Sequence, residues 1–299
     1  MRNGAPVPPH PLVPEALRTT PFRGSVAVRS GVLTRRQLRG DTWRRLFHDV
    51  YVHRDVLVSH ELRARAATTL LTDAVVTGRS AAVLWGVDLA GADDPVELTV
   101  SPGTHQVRVE GLVVRRALLD PGLVRRRRGV PVTAPAATVV RLASVLPRDS
   151  AVAAVDQLGT AGVVGLDAVR ELAGGAQGPG SARARDVAAL ADGLAESPQE
   201  TRVRLLIGRS DLPALIAQYR VFDRDGFVAR VDFAWPERRL ALEYDGLWHG
   251  GAGQFIRDRE RLNRLREAGW QVVFVTAADL RDPDRLLVRI ATALSTSAR

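Results

Sequence analysis

Four carboxylates in the last third of the chain, Glu200, Asp232, Glu243 and Asp245, are spaced so that they could act together. Asp232 lies in Phe227–Ala234, and Glu243 and Asp245 lie in Arg239–Asp245; both stretches alternate as strands, joined by Trp235-Pro236-Glu237-Arg238. Alternation puts Phe227, Ala229, Val231 and Phe233 on one face of the first strand, with Val228, Arg230 and Asp232 on the other. In the second strand Leu240, Leu242 and Tyr244 oppose Ala241, Glu243 and Asp245. A turn centred between Pro236 and Glu237 pairs Asp232 with Ala241. Asp232, Glu243 and Asp245 then share a face, with Glu243 diagonal to Asp232 at about 7–8 Å or less. Three acids so placed repel one another unless a cation joins them, and hard oxygen donors select Mg2+ or Mn2+. Glu243 stands between Leu242 and Tyr244, where an uncompensated charge is costly. Each residue also has a plainer role open to it. Asp245-Gly246 is a turn dipeptide, Glu200 completes a capping box with Ser197, Asp232 could pair with Arg230 or Arg239, and Asp258 and Arg261 are spaced for an i,i+3 pair.

The elements that must hold these acids can be read around them. Ser197-Pro198-Gln199-Glu200 opens a helix, with Ser197 as N-cap. After the second strand, Phe255–Ala268 is a helix with Phe255, Asp258, Leu262 and Leu265 on one stripe; Gly269 ends it, Trp270–Val275 is a strand, and Asp282-Pro283 begins a last amphipathic helix. Towards the N-terminus, Thr34-Arg35-Arg36-Gln37 is a capping-box pattern and Gly40 closes the short helix. Asp41 is positioned to cap a second helix carrying Trp43, Arg44, Arg45, Leu46 and Phe47, and Asp49–His53 alternates as a strand. Helix, turn, basic helix and wing is the order of a winged helix-turn-helix; it sets Arg35, Arg36, Arg44 and Arg45 towards DNA, or leaves them as a solvated face. Arg125–Arg128 reads as a basic loop.

Composition narrows the classes. The 299 residues are 45% hydrophobic and 25% charged, as in a globular chain. There is no cysteine, which excludes disulfides, thiolate zinc sites, iron–sulfur clusters and a cysteine nucleophile. All 42 basic residues are arginine, so Schiff-base and Walker-type lysine chemistry is excluded. The first 179 residues hold 23 arginines against 16 acids, which makes them the polyanion-facing part of a chain of net charge +9. No apolar run is long enough to span a membrane, and Met1–Pro14 is proline-rich without a hydrophobic stretch; a soluble, cytoplasmic protein is expected. The expected organisation is an α/β multidomain chain: a flexible tail over 1–20, a winged helix-turn-helix over 21–58, a small α/β module over 59–172, a linker over 173–194 centred on AGGAQGPG, and a mixed sheet flanked by helices over 195–299.

The C-terminal order resembles the PD-(D/E)xK restriction-endonuclease-like superfamily, in its very-short-patch-repair (Vsr)-like branch. The residues that carry the resemblance are Glu200, Val231-Asp232-Phe233, the run Leu242-Glu243-Tyr244-Asp245-Gly246-Leu247-Trp248-His249, and Arg257-Asp258-Arg259-Glu260-Arg261. It implies a Mg2+-dependent DNA endonuclease in which Asp232 is the central metal ligand and Glu243 the second acid. Asp245 stands where the superfamily motif has lysine, as that position also departs from lysine in the Vsr-like branch. The resemblance further implies His249 as general base or acid and Arg261 as the cation that stabilises charge on phosphate. The N-terminal region resembles the AbiEi-type antitoxin and regulator family through Gly31–Leu38, the basic segment after it, Val50-Tyr51-Val52 and Thr77–Ala82, which implies DNA binding. Two expectations follow: a winged-helix-targeted endonuclease, homodimeric if it cuts both strands symmetrically, or a DNA-binding regulator whose nuclease-like domain does not turn over.

Overall fold

The structure, a computed structural model, describes residues 13–246 and 252–296. The chain is an α/β protein that divides into two compact units, 1–138 and 139–299.

The first unit opens with β1 (Phe22–Arg23), α1 (Gly24–Arg29), α2 (Arg35–Leu38), β2 (Trp43–Phe47) and β3 (Val50–His53). The three strands form an antiparallel sheet in the order β1-β3-β2. Thr34 caps α2 through the full capping box: its hydroxyl accepts from Gln37 N at 3.2 Å, and Thr34 N donates to Gln37 Oε1 at 2.8 Å. The segment expected as a second basic helix is instead the strand β2. Its end residues Trp43 and Phe47 are buried, and Trp43 packs edge-on to Phe22 at 4.9 Å and His53 at 5.7 Å. These cross-strand aromatic contacts outweigh the weak capping signal of Asp41. The turn into β3 is held by Asp49 (φ 61), whose carboxylate accepts from Ser25 N at 2.7 Å and Ser25 Oγ at 2.6 Å.

The rest of this unit is α3 (His60–Leu70), β4 (Val75–Val76), α4 (Gly78–Leu84), β5 (Val96–Val100), β6 (Leu112–Arg116), β7 (Val124–Arg127) and β8 (Val130–Thr133), with a mixed sheet ordered β6-β5-β4-β8-β7. Val76, Leu98 and Val132 form its buried centre. The four arginines expected in a loop lie along the edge strand β7 and its turn, where Arg127 sits over Trp85 and Arg128 pairs with Glu61 at 2.8 Å.

The chain passes to the second unit through α5 (Pro135–Val145) and continues as α6 (Arg148–Thr160), α7 (Leu166–Gly175), α8 (Ser181–Leu190), α9 (Pro198–Ile207), β9 (Ile216–Asp223), β10 (Gly226–Trp235), β11 (Leu240–Tyr244), α10 (Ala252–Glu267), β12 (Gln271–Val275) and α11 (Pro283–Thr296). Helices α6 and α7, expected with the N-terminal module, belong to this unit. The expected linker over 173–194 is largely folded, because α8 buries Ala184, Val187 and Ala188. Its glycine content has a local cause: Gly180 (φ 85) approaches Ser144 so closely that a Cβ would meet the Ser144 carbonyl oxygen at 2.6 Å.

The sheet of this second unit runs β12-β11-β10-β9, antiparallel except that β11 and β12 are parallel, with α10 as their crossover. Two apolar cores flank it. Phe233, Trp235, Leu240 and Leu242 pack with Val203 and Ile207 of α9 and Leu286 and Ile290 of α11. Ala229, Val231, Ala234 and Ala241 pack with Leu265 and Trp270 on the α10 side. Val231 and Phe233 therefore face different cores, contrary to simple alternation. The break falls between the pairs Val231–Tyr219 and Phe233–Ala217, where Asp232 stands across from Gln218 and Gln218 has φ 51.

Candidate active site

Asp232 and Glu243 are brought together by a hairpin register two residues away from the expected one. The strands join through the four residues 236–239, with Pro236–Arg238 as one helical turn and Arg239 in the left-handed region at φ 46. Trp235 therefore pairs with Leu240, Ala234 with Ala241 and Phe233 with Leu242. One step beyond the last pair, Asp232 stands directly across from Glu243 rather than diagonal to it. The backbone N–H of Tyr244 donates to Asp232 Oδ2 at 2.8 Å and fixes that carboxyl at the end of β11.

The two acids are treated differently. Glu243 is buried, and Arg261 of α10 grips it bidentately, Nη1 to Oε1 at 2.5 Å and Nη2 to Oε2 at 2.8 Å. The expected Asp258–Arg261 pair gives way to this one. The Glu243 carboxylate beside it holds Arg261 above the usual arginine range. Asp232 is half-buried and has no ion pair within 4 Å among the described residues. Burial pushes its carboxyl up to about 6, against the lowering effect of the Tyr244 N–H, and the charges of Glu200, Glu243 and Glu196 push the same way as burial.

Glu200 comes from the first turn of α9. Ser197 Oγ accepts from Glu200 N at 3.2 Å. The buried Glu200 carboxylate accepts from Glu196 N at 2.9 Å and from Gln218 Nε2 at 3.1 Å. Gln218 thus ties α9 to the break in β9 that faces Asp232. Glu200, Asp232, Glu243 and Arg261 form one cluster. Asp245 is different: it lies exposed past the end of β11, its N–H donating to Val275 O at 2.7 Å. His249 lies outside the described residues.

A residue that sequence reasoning missed sets the position of α9. Asp156 of α6 is completely buried and accepts four hydrogen bonds: Oδ1 from Asp192 N at 3.0 Å and Gly193 N at 2.9 Å, Oδ2 from Thr201 Oγ1 and Arg204 Nη2, both at 2.8 Å. Thr201 and Arg204 are on α9, so this carboxylate anchors the helix that presents Glu200. The available signal was an acid among the apolar residues Val152, Val155 and Leu158 of one helix, the same kind of anomaly that singled out Glu243.

The donor set suits a hard divalent cation in chemistry, since all of its oxygens are carboxylates and the raised Asp232 marks a cluster short of positive charge. It is not assembled for one: among the described residues no group of three or more His, Asp or Glu side chains is placed to hold a metal ion, and both oxygens of Glu243 are taken by Arg261. The expected trio Asp232, Glu243 and Asp245 is thus only partly gathered.

In the first unit, Arg35 and Arg36 are exposed on the capped α2, and Arg44 and Arg45 are exposed on β2 instead of on a helix. Arg44 Nη2 donates to Arg54 O at 3.2 Å, across the β2–β3 hairpin. Among the described residues no helix is long and apolar enough to cross a membrane.

No family model matches the chain. Two proteins of Mycobacterium tuberculosis, uncharacterized protein MT2308 (strain CDC 1551 / Oshkosh) and uncharacterized protein Rv2248 (strain ATCC 25618 / H37Rv), are each 34% identical to it over 216 residues, covering 71% of this chain and 78% of theirs. Among solved structures, the crystal structure of the Rv2827c protein from Mycobacterium tuberculosis superposes with a TM-score of 0.39 at 16% identity, covering 68% of this chain and 84% of that one.

Proposed function

The chain belongs to the family of the Mycobacterium tuberculosis proteins MT2308 and Rv2248, and we propose that it is a Mg2+-dependent DNA endonuclease whose N-terminal winged-helix region brings it to DNA. The observation that carries this reading is Asp232: a half-buried carboxyl, raised to about 6, facing Glu200 and Glu243 and left without an arginine. A structural carboxylate of that depth is normally saturated with donors. The order of α9, three antiparallel strands, α10 and a strand parallel to the third also agrees with the restriction-endonuclease-like resemblance.

Asp232 and Glu243 would hold the cation. A divalent cation held there would supply positive charge to the oxygens of a phosphodiester undergoing hydrolysis. Cation binding by Glu243 requires Arg261 to let go. The guanidinium so freed has the planar fork that matches two phosphate oxygens, and it keeps its charge throughout. Glu200 stays on its Glu196 and Gln218 donors and orients the break in β9 beneath Asp232. In the first unit, α1 and α2 followed by the β2–β3 hairpin support the winged-helix reading, with Arg35 and Arg36 towards the bases and Arg44 and Arg45 on the wing towards phosphates.

Nicking of supercoiled plasmid in Mg2+ tests the proposal: wild type nicks and Asp232→Asn does not, whereas equal nicking by the two overturns it. A second reading has one observation in its favour, the Glu243–Arg261 clasp with Asp245 in place of lysine. On that reading the chain is a DNA-binding regulator or antitoxin whose nuclease-like C-terminal unit does not turn over, and wild type would show tight binding and no nicking in Mg2+ or Mn2+.

A further inference from the structure

The far end of the β9–β10 hairpin carries two phenylalanines that the folded chain leaves in water. Phe222 is 58% exposed and Phe227 45% exposed, although each strand also has fully buried positions open to apolar residues. They are direct cross-strand partners next to the tight turn at Arg224-Asp225-Gly226, with ring centroids 5.7 Å apart and edge-to-face. Arg220, two residues before Phe222, lies 4.9 Å from the Phe227 ring centre and 5.7 Å from that of Phe222. Among the described residues no carboxylate lies within 4 Å of Arg220, which is exposed and rests against the two rings. Two nearby arginines are already engaged, Arg264 by Phe227 O at 3.1 Å and Asp223 at 3.6 Å, and Arg230 by Glu196 at 2.6 Å, whereas Arg224 in the turn is exposed.

We infer that this hairpin end is a stacking platform for an unpaired base of single-stranded DNA, with Arg220 taking the adjacent phosphate. The chemistry of the patch selects that occupant. An apolar peptide, or a second copy of the same patch, would bury the unpaired charge of Arg220 without compensation, at a cost that offsets the burial of the rings. A nucleotide offers both a π face for phenylalanine and an anion for the guanidinium. The location fits as well. β9 is the outer strand of its sheet, so the platform is open at an edge. It stands on the same strand as the candidate site, Phe227 being five residues before Asp232. That is about 17 Å of extended strand, or about five base steps of stacked DNA. The inference borrows from the preceding section only the choice of DNA; it does not require cleavage.

The test is binding by the full chain, in EDTA so that cutting plays no part, to a 12-nucleotide single strand bearing 2-aminopurine and to the matching duplex. Wild type should bind the single strand and quench the 2-aminopurine. Phe222→Ala with Phe227→Ala should weaken single-strand binding by about tenfold or more and abolish the quenching, while duplex affinity changes less than about twofold. Arg220→Gln should weaken the single strand less and flatten its salt dependence by about one phosphate. Both phenylalanines are exposed, so unchanged circular dichroism is expected and serves as the check on folding. Single-strand binding that survives the double substitution overturns the inference. So does a change of oligomeric state on the same substitution, which would make the patch a self-association surface. Loss of plasmid nicking in Asp232→Asn with these results intact would bear on the nuclease reading alone.

Discussion

Two carboxylates of the second unit, Asp156 and Asp232, show how burial and function part company. Asp156 is completely buried and accepts four hydrogen bonds from a turn, a hydroxyl and an arginine. Asp232 is less buried, yet it accepts one backbone hydrogen bond, has no ion pair among the described residues, and faces three other acids. The deeper acid has its hydrogen-bond donors, and the shallower one lacks all but one. What marks a poised group is the shortfall of partners at a given depth, not depth itself. Asp156 anchors α9; Asp232 waits at the end of the scaffold that α9, β9 and β11 build.

The sharpest way to break this contrast is to neutralise each acid in turn. Asp232→Asn keeps an acceptor for Tyr244 N–H, so the fold should stand while plasmid nicking falls by about 10³-fold, the loss of several kcal/mol of charge stabilisation. Nicking that persists would place the chemistry elsewhere. Asp156→Ala should do the opposite. It strands Arg204 and two backbone N–H groups, and urea unfolding should show a loss of about 3–5 kcal/mol. A loss under about 1 kcal/mol would mean that the anchor is ornamental.

The shortfall at Asp232 also has a consequence for pH. Asp232 titrates at about 6 in the folded chain, against about 3.9 when unfolded. The folded state holds that proton more tightly, so the associated stability is fully present below about pH 4 and lost as pH rises through about 6. The amount is on the order of 3 kcal/mol, set by burial together with Glu200, Glu243 and Glu196, with Arg261 on the opposing helix. Lowering the pH from 7 to 4.5 in EDTA should therefore shift the urea midpoint of wild type upward relative to that of Asp232→Asn. Equal shifts would contradict the placement of the acids around Asp232. The smallest expected effect concerns the clasp. Arg261→Met should tighten Mn2+ binding by about tenfold in calorimetry without DNA, and Mn2+ should raise the melting temperature of that variant more than that of wild type. Identical Mn2+ affinities would show that Arg261 does not compete for Glu243.

Legibility followed the range of the interactions. The caps of α2 and α9, the strand β3 and the start of α11 are local patterns, and the residues that make them were readable in order. Glu200, Asp232, Glu243 and Arg261 were likewise singled out by type and spacing, and they do meet. The register that joins them was not readable, because Arg239 takes a left-handed conformation that no glycine or asparagine announced. Nor did the alternation of β10 foretell that Val231 and Phe233 would face different cores across the kink at Gln218. β2 was mistaken for a helix because its strand character comes from Phe22 and His53, each outside the local window. Asp156 had no local signature that named Thr201 and Arg204, 45 and 48 residues away, as its partners. That Arg261 reaches across to Glu243 and not along its own helix to Asp258 is a tertiary choice of the same kind.

Glu243 is held by a cation that does not titrate. A guanidinium keeps its proton across the whole range in which a protein stays folded, and this chain has no lysine to take its place. The arginine cannot let go by losing its proton. The grip yields to barter: a rival cation arriving for the carboxylate, or a rival anion for the arginine, and each arrival leaves the other half in want of a mate. On the proposed function, a divalent ion and a phosphate would therefore favour one another's entry, and the pair would act as a coincidence detector wired from two side chains.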